Sequence, residues 1–285
     1  MRAIVRAAGR VRVTPRPPPP LGPRQVRIAI RAAGVCRTDL RVARGELPSA
    51  DPVVLGHELA GEVTEVGSGV TDLQPGDRVS ADPRVGCGCG RGCSPTRCTR
   101  PTRLGIEVDG VFAEQVVLPE HVVVRTPTMP WRHLAMVEPV AAALATCLPG
   151  LHGRGRVLGS GRFATLTERV MVARGLDVHS APPAAGYDYV VETHLDQLPQ
   201  AIEQVRCRGT VIVKSRTGAL SLPVDTLQRR RLRLEFVRYG SFTEAASLLA
   251  SGRVEVDDLL APPMPLEAFP GLVEEALTTK VLLIP

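Results

Sequence analysis

Three residues able to hold a transition metal stand close together in the first quarter of the chain. Cys36 lies in Gly34-Val35-Cys36-Arg37-Thr38-Asp39-Leu40, and His57 and Glu58 lie in Leu55-Gly56-His57-Glu58-Leu59-Ala60-Gly61. Thiolate and imidazole are zinc ligands of matching softness, and a site with three protein ligands keeps a position open for water or a reactant. A centre of that kind is able to do catalysis as a Lewis acid. Four more thiols, Cys87, Cys89, Cys93 and Cys98, fall in the spacing C-x-C-x3-C-x4-C. In a reducing compartment such a cluster is more naturally a metal site than a disulfide framework. Cys147 and Cys207 lie in helical or core-like surroundings and read as structural.

The elements that must position these side chains differ between the two halves. Residues 3–5, 10–13 and 26–30 are short strand-like runs, the last with Val26, Ile28 and Ile30 on one face. Residues 15–20 form a stiff proline-rich connector. Glycine and proline punctuate further short apolar strands up to residue 118, the pattern of a β-barrel or sandwich. From residue 134 the pattern changes. Residues 135–147 are alanine-rich and helical, with Glu138-Pro139 near their start. A strand then runs through Gly159-Ser160-Gly161-Arg162-Phe163-Ala164 into a helix, and strand-like runs at 178–180, 187–191 and 210–213 alternate with helical ones. That alternation predicts α/β structure with a parallel sheet. Residues 265–276 read as a helix and 281–284 as a final strand.

Composition narrows the class. At 285 residues two domains are expected, and 44% hydrophobic with 22% charged residues excludes a disordered or fibrous chain. The formal charge of +6 is carried almost wholly by arginine, with Lys214 and Lys280 the only lysines. The densest basic cluster, residues 228–234, lacks the aromatic platforms that nucleic-acid binding needs, because aromatics are only 3% of the chain. It reads as a solvated strand or turn, and no nucleic-acid partner is expected. No apolar run approaches the roughly 18 residues needed to span a membrane, and the first residues lead into arginine instead of a signal-peptide core. A cytoplasmic location without membrane attachment is expected.

Taken together, GVCRTDL, VVLGHELAGEVTEVG, LQPGDRV, the cysteine cluster, VDGVFAEQVVLP, VEPVAAALATC, VLGSG and the terminal KVLLIP resemble the zinc-containing medium-chain dehydrogenases, the family of alcohol, sorbitol and threonine dehydrogenases. The resemblance covers nearly the whole chain in the family's order. It implies a GroES-like β-barrel catalytic domain (residues 1–152, completed by 258–285) joined to a Rossmann-like domain (residues 153–257). It implies Cys36, His57, Glu58 and Glu138 around a catalytic zinc, with Glu58 ligating the metal or moving in and out of its shell. Thr38 would relay a proton between substrate oxygen and solvent, and Asp39 would orient the site. Cys87, Cys89, Cys93 and Cys98 would hold a structural zinc, although their spacing is tighter than the family's C-x2-C-x2-C-x7-C. Gly159, Gly161 and Arg162 would take NAD or NADP. Arg41 stands where some relatives have a relay histidine. With Arg37 it suggests an anionic or polar small-molecule substrate, or it simply faces solvent. A homodimer paired through residues 232–237 is expected.

The second domain departs from the family pattern. Leu176-Asp177-Val178-His179-Ser180-Ala181-Pro182-Pro183 runs almost directly into Gly186-Tyr187-Asp188-Tyr189-Val190-Val191. The acidic residue that reads the adenosine ribose in relatives is missing from its place near residues 181–182, and Arg162 and Phe163 replace small or aliphatic residues in the glycine turn. Two enzyme readings follow. One is a zinc-dependent oxidoreductase passing a hydride between NAD(P) and an alcohol or carbonyl substrate. The other is a zinc enzyme that has lost the nicotinamide and performs elimination, hydration, cyclisation or hydrolysis. A binding or regulatory pseudoenzyme is the third reading, and retention of Cys36, His57, Glu58 and Glu138 argues against it.

Overall fold

Short stretches of alternating apolar residues build the first half of the chain as strands. The computed structural model describes residues 1–86, 102–180, 184–215 and 221–285. Cys87, Cys89, Cys93 and Cys98 therefore lie outside the described residues. β1 (Arg2–Ala7) and β2 (Arg10–Pro15) pair as an antiparallel hairpin. In β3 (Gln25–Gly34), Val26, Ile28 and Ile30 are buried and the residues between them only partly so, the period-two signature of a strand with one face on a core. α1 (Arg37–Ala43) turns off the end of β3, and β4 (Val53–Val54) leads into β5 (Glu58–Val66). β6 (Arg78–Ala81), β7 (Arg84–Gly86), β8 (Thr102–Arg103), β9 (Gln115–Pro119) and β10 (Val123–Arg125) complete this half.

The helix expected over 135–147 is the shorter α3 (Val137–Leu144), and a separate short helix, α2 (Trp131–Leu134), precedes it. Pro139 has no backbone N–H to donate, which suits it to the first turn of a helix and fixes a fresh start at Val137. Strand and helix then alternate: β11 (Arg154–Leu158), α4 (Arg162–Ala173), β12 (Asp177–Val178), β13 (Tyr187–Glu192), α5 (Leu198–Gln204), β14 (Val205–Val213), α6 (Val224–Arg230), β15 (Arg233–Phe236) and α7 (Phe242–Ala250). The strands form one parallel sheet in the order β12-β11-β13-β14-β15. Its central strands are apolar on both faces, with Tyr187, Tyr189, Val190, Val191, Val211 and Ile212 fully buried, as a sheet covered on both sides requires. The basic cluster of residues 228–234 corrects one expectation. Its first three residues end α6, and Arg231 caps that helix in the left-handed region, so only its last residues belong to a strand.

The chain then closes with β16 (Met264–Pro265), α8 (Phe269–Leu272) and β17 (Leu282–Ile284). The helix expected over 265–276 is reduced to a 3-10 turn and the four residues of α8. Gly271 within that stretch weakens helix propagation by about 1 kcal/mol relative to alanine. β17 pairs antiparallel with β3, extending a sheet of order β10-β6-β5-β3-β17-β16, with β9 also on β3. Two compact units result, residues 1–138 with 256–285, and residues 139–255. In the first, the rings of Phe112 and Phe269 lie 5.1 Å apart in a tilted arrangement. Such a pair contributes about 0.5–1.5 kcal/mol beyond its area burial and ties the returning chain end into the same core.

Candidate metal centre

The antiparallel pairing of β3 with β5 sets Gly34 opposite Glu58, so the end of one strand lies beside the start of the other. Cys36 follows β3 directly, and His57 immediately precedes β5. Gly56 delivers the histidine. Its φ of 93° is left-handed, and a Cβ there would lie 2.3 Å from the Phe112 ring, so no other residue fits without displacing the core. The outcome is that one ligand atom each from Cys36, His57 and Glu58 lie within 4.8 Å of one another.

Asp39 organises this trio. It is buried on α1, and its Oδ2 accepts a hydrogen bond from the backbone N–H of Cys36 at 2.8 Å. Its Oδ1 lies 2.9 Å from His57 Nδ1. With Nδ1–H donating to the carboxylate, the tautomer is set and Nε2 keeps its lone pair for a metal. Burial is the strongest single influence on the imidazole and disfavours its charge. The Asp39 carboxylate and the Cys36 side chain outweigh burial and hold the proton affinity of His57 well above the ordinary value. A proton thus competes with a metal for His57, and metal uptake is expected to weaken on acidification from a pH above the ordinary imidazole range. Asp39→Asn should lower metal affinity about 10–100-fold, the usual cost of losing a partner that orients a ligating histidine. Chelator competition measures it, and an unchanged affinity would remove Asp39 from the site.

Glu58 is fully buried and meets a residue that sequence reasoning missed. Lys280, buried just ahead of β17, donates from Nζ to both Glu58 carboxylate oxygens, at 2.6 and 2.7 Å. Its third donor reaches the Val35 carbonyl oxygen at 3.2 Å. Burial raises the proton affinity of Glu58, Lys280 pulls it down, Glu138 pushes it up again, and the net direction is upward. The sequence did carry a signal for Lys280. In a chain whose cations are otherwise all arginine, the two lysines are both buried, and a compact ammonium fits where a planar five-donor fork does not.

The other predicted residues are placed as follows. Glu138 is buried in the first turn of α3 and its charge reaches Glu58, but it is not one of the trio within 4.8 Å. Thr38 is half-buried, two residues beyond Cys36 on α1. Arg41 lies 3.4 Å from Glu46, a carboxylate it shares with Arg44 at 2.6 Å, so it is ion-paired and does not merely face solvent. In the second unit, Gly159 and Gly161 make the turn between β11 and α4, with φ of 133° and 79°. A Cβ on Gly159 would lie 1.9 Å from Thr193 Oγ1, whereas one on Gly161 would meet nothing within 4 Å. Arg162 is the partly buried first residue of α4. The departures noted in the sequence have a physical counterpart. The Lys214 ammonium lies 5.9 Å from the Phe163 ring centroid and 5.6 Å from that of Tyr239. β12 is two residues long, its Asp177 lies 2.6 Å from His179 Nε2, and no acidic residue follows before Tyr187.

A GroES-like β-barrel unit carrying a Cys-His-Glu cluster, joined in one chain to a Rossmann-like parallel sheet, defines a dehydrogenase-type architecture. Residues 22–128 match the alcohol dehydrogenase GroES-like domain family. The chain is 35% identical over 167 residues to L-threonine 3-dehydrogenase from Thermococcus kodakarensis, which covers 55% of this chain and 48% of that protein. It is 27% identical over 267 residues to sorbitol dehydrogenase from Halalkalibacterium halodurans, covering 86% and 78% of the two. The matched segment thus spans about half the length of the threonine dehydrogenases. A solved structure from Sinorhizobium meliloti 1021, described as a zinc-binding dehydrogenase bound to NADP, superposes with a TM-score of 0.87 at 27% identity, covering 100% of this chain and 99% of that one. Residues 22–128 belong to the alcohol dehydrogenase GroES-like domain family, and the chain as a whole is similar to zinc-containing medium-chain dehydrogenases/reductases of the alcohol and sorbitol dehydrogenase type.

Proposed function

We propose that the chain is a zinc-dependent oxidoreductase that passes a hydride between a nicotinamide dinucleotide and an alcohol or carbonyl compound. The observation that carries this reading is the convergence of Cys36, His57 and Glu58 within 4.8 Å, on a histidine fixed by Asp39. One sulfur, one nitrogen and a choice of carboxylate oxygens from Glu58 and Glu138 are a donor set that suits zinc. When bound, zinc supplies a Lewis acid that polarises a carbonyl or acidifies an alcohol, and the nicotinamide supplies or accepts the hydride. The chain's own residues do the remainder. Asp39 holds His57 in its metal-facing tautomer, and the Thr38 hydroxyl exchanges a proton between the substrate oxygen and solvent. The open approach at Gly161, at the N-terminus of the twelve-residue α4, would hold the pyrophosphate, and Arg162 would add positive charge there. Arg37 and Arg41 favour a small polar or anionic substrate, in keeping with the sorbitol and threonine dehydrogenases among the relatives. Cys87, Cys89, Cys93 and Cys98 form the structural zinc lobe in this reading.

The second reading, a zinc enzyme without nicotinamide, is favoured by one observation. The strand that would read the adenosine ribose stops after two residues with no carboxylate at its end. A titration with NADH and NADPH separates the two. Nicotinamide fluorescence enhancement and a raised melting temperature support the oxidoreductase, while no response to either at millimolar concentration overturns it.

A homodimer joined along β15 belongs to the same reading. β15 is the sheet's edge strand and Phe236 on it is 63% exposed. A sedimentation mass of two chains at micromolar concentration is expected, and a single-chain mass contradicts it. Among the described residues no helix is long and apolar enough to cross a membrane, and Cys36, Cys147 and Cys207 are free thiols. The cytoplasmic location proposed here agrees with the free thiols.

A further inference from the structure

The trio at the metal centre contains a carboxylate that is already fully engaged. All three donors of the Lys280 ammonium are used, two on Glu58 and one on the Val35 carbonyl. Val35 precedes Cys36 and Glu58 follows His57, so one side chain ties together the two segments that carry the sulfur and nitrogen donors. The tie comes from the far end of the chain. Lys280 donates its backbone N–H to the Leu259 carbonyl at 2.7 Å, Val35 donates its own to the Val281 carbonyl at 2.9 Å, and Leu282 faces Gly34 across the β17–β3 ladder. Gly34 in turn faces Glu58 across the β3–β5 ladder. The Glu58 side chain crosses the bare backbone of Gly34, where a Cβ would lie 1.9 Å from Oε2. The carboxylate is therefore held by the neighbouring strand's lack of a side chain as well as by the ammonium.

On this basis, and resting on the zinc reading above, we propose that Lys280 is a positioning residue that holds Glu58 out of the metal's coordination sphere. Glu138 is left as the carboxylate that completes the site, and one position stays open for the substrate oxygen. A buried ammonium gripping both oxygens opposes their turning to a cation, because two positive charges would then share one carboxylate in a poorly solvated place. Without Lys280, the buried Glu58 must take up a proton or pair with another cation, and a divalent ion held by Cys36 and His57 is the cation within its reach.

The test uses the full chain loaded with Co(II) in place of zinc, and reads the visible ligand-field spectrum and the metal affinity by chelator competition. Subtracting the Cys36→Ala spectrum isolates this centre from any cobalt held by the cysteine lobe. Lys280→Met is expected to weaken the visible bands, as added coordination does, and to raise metal affinity about tenfold or more, the scale of one close charge interaction. It should also lower turnover. The pair Lys280→Met with Glu58→Gln removes both charges, protects against misfolding of the single variant, and is expected to restore the wild-type spectrum. Wild-type spectrum and affinity in Lys280→Met, or a double variant that keeps the altered spectrum, would overturn the inference and leave the zinc reading standing. A wild-type chain that takes up no cobalt dependent on Cys36 would overturn both.

Discussion

Cys36→Ala is expected to lose one zinc ion per chain and NAD(P)-linked turnover with it. Cys36 supplies the only sulfur of the trio whose donor atoms lie within 4.8 Å, and a thiolate is the softest and most anionic of the three donors. Losing a partner one bond removed from a metal costs about 10–100-fold in affinity or activity. Losing the thiolate itself should exceed the top of that range. Metal content by mass spectrometry after dialysis reads the first effect, and initial rates with NADH or NADPH read the second. The fold should survive, because Cys36 is only half-buried at the entry of α1 and the core beneath it is built from β3, β5 and β17. Full metal content in the variant would move the metal elsewhere.

Gly34→Ala is expected to have the largest effect on stability. The added Cβ would lie 1.9 Å from Glu58 Oε2, 3.0 Å from its Cδ and 3.1 Å from its Cβ. Either Glu58 leaves Lys280 or β3 leaves β5. Separating one partner of a buried ion pair costs about 3–5 kcal/mol, and the first unit should melt about 6–20 °C lower at a few degrees per kcal/mol for a unit of this size. Adding Glu58→Ala and Lys280→Met to Gly34→Ala should recover part of the loss. A melting temperature within about 2 °C of wild type, less than 1 kcal/mol at this size, would show that the side chain does not cross Gly34.

Much of this is legible in the sequence. The period-two burial of Val26, Ile28 and Ile30 and the fully apolar β13 and β14 follow from local pattern, because strand pairing rewards one face or both with burial. The Cys36 and His57 segments were legible because each carries its chemistry within a few residues. For Lys280 only its rarity among the arginines was legible, since its partner is 222 positions away and no local pattern encodes a pairing made by a returning strand. The helix over 265–276 failed because apolar spacing alone ignored Pro265 and Gly271. Glu138 illustrates the intermediate case. Its sequence context placed it beside the candidate ligands, and its charge does reach Glu58, but the Lys280 that grips Glu58 is brought in only by the fold. The direct run from Asp177 to Tyr187 with no acidic residue between was legible in the sequence. That Phe163 of the glycine turn and Tyr239 beyond β15 both lie near the buried Lys214 was not.

Anomalous scattering at the zinc edge from crystals of the full chain tests the metal centre most directly. A peak is expected about 2.3 Å from Cys36 Sγ and about 2.0–2.1 Å from a His57 nitrogen, with Glu58 still paired to Lys280. A zinc-containing crystal with no peak between Cys36 and His57 would contradict the assignment on which the proposed function rests.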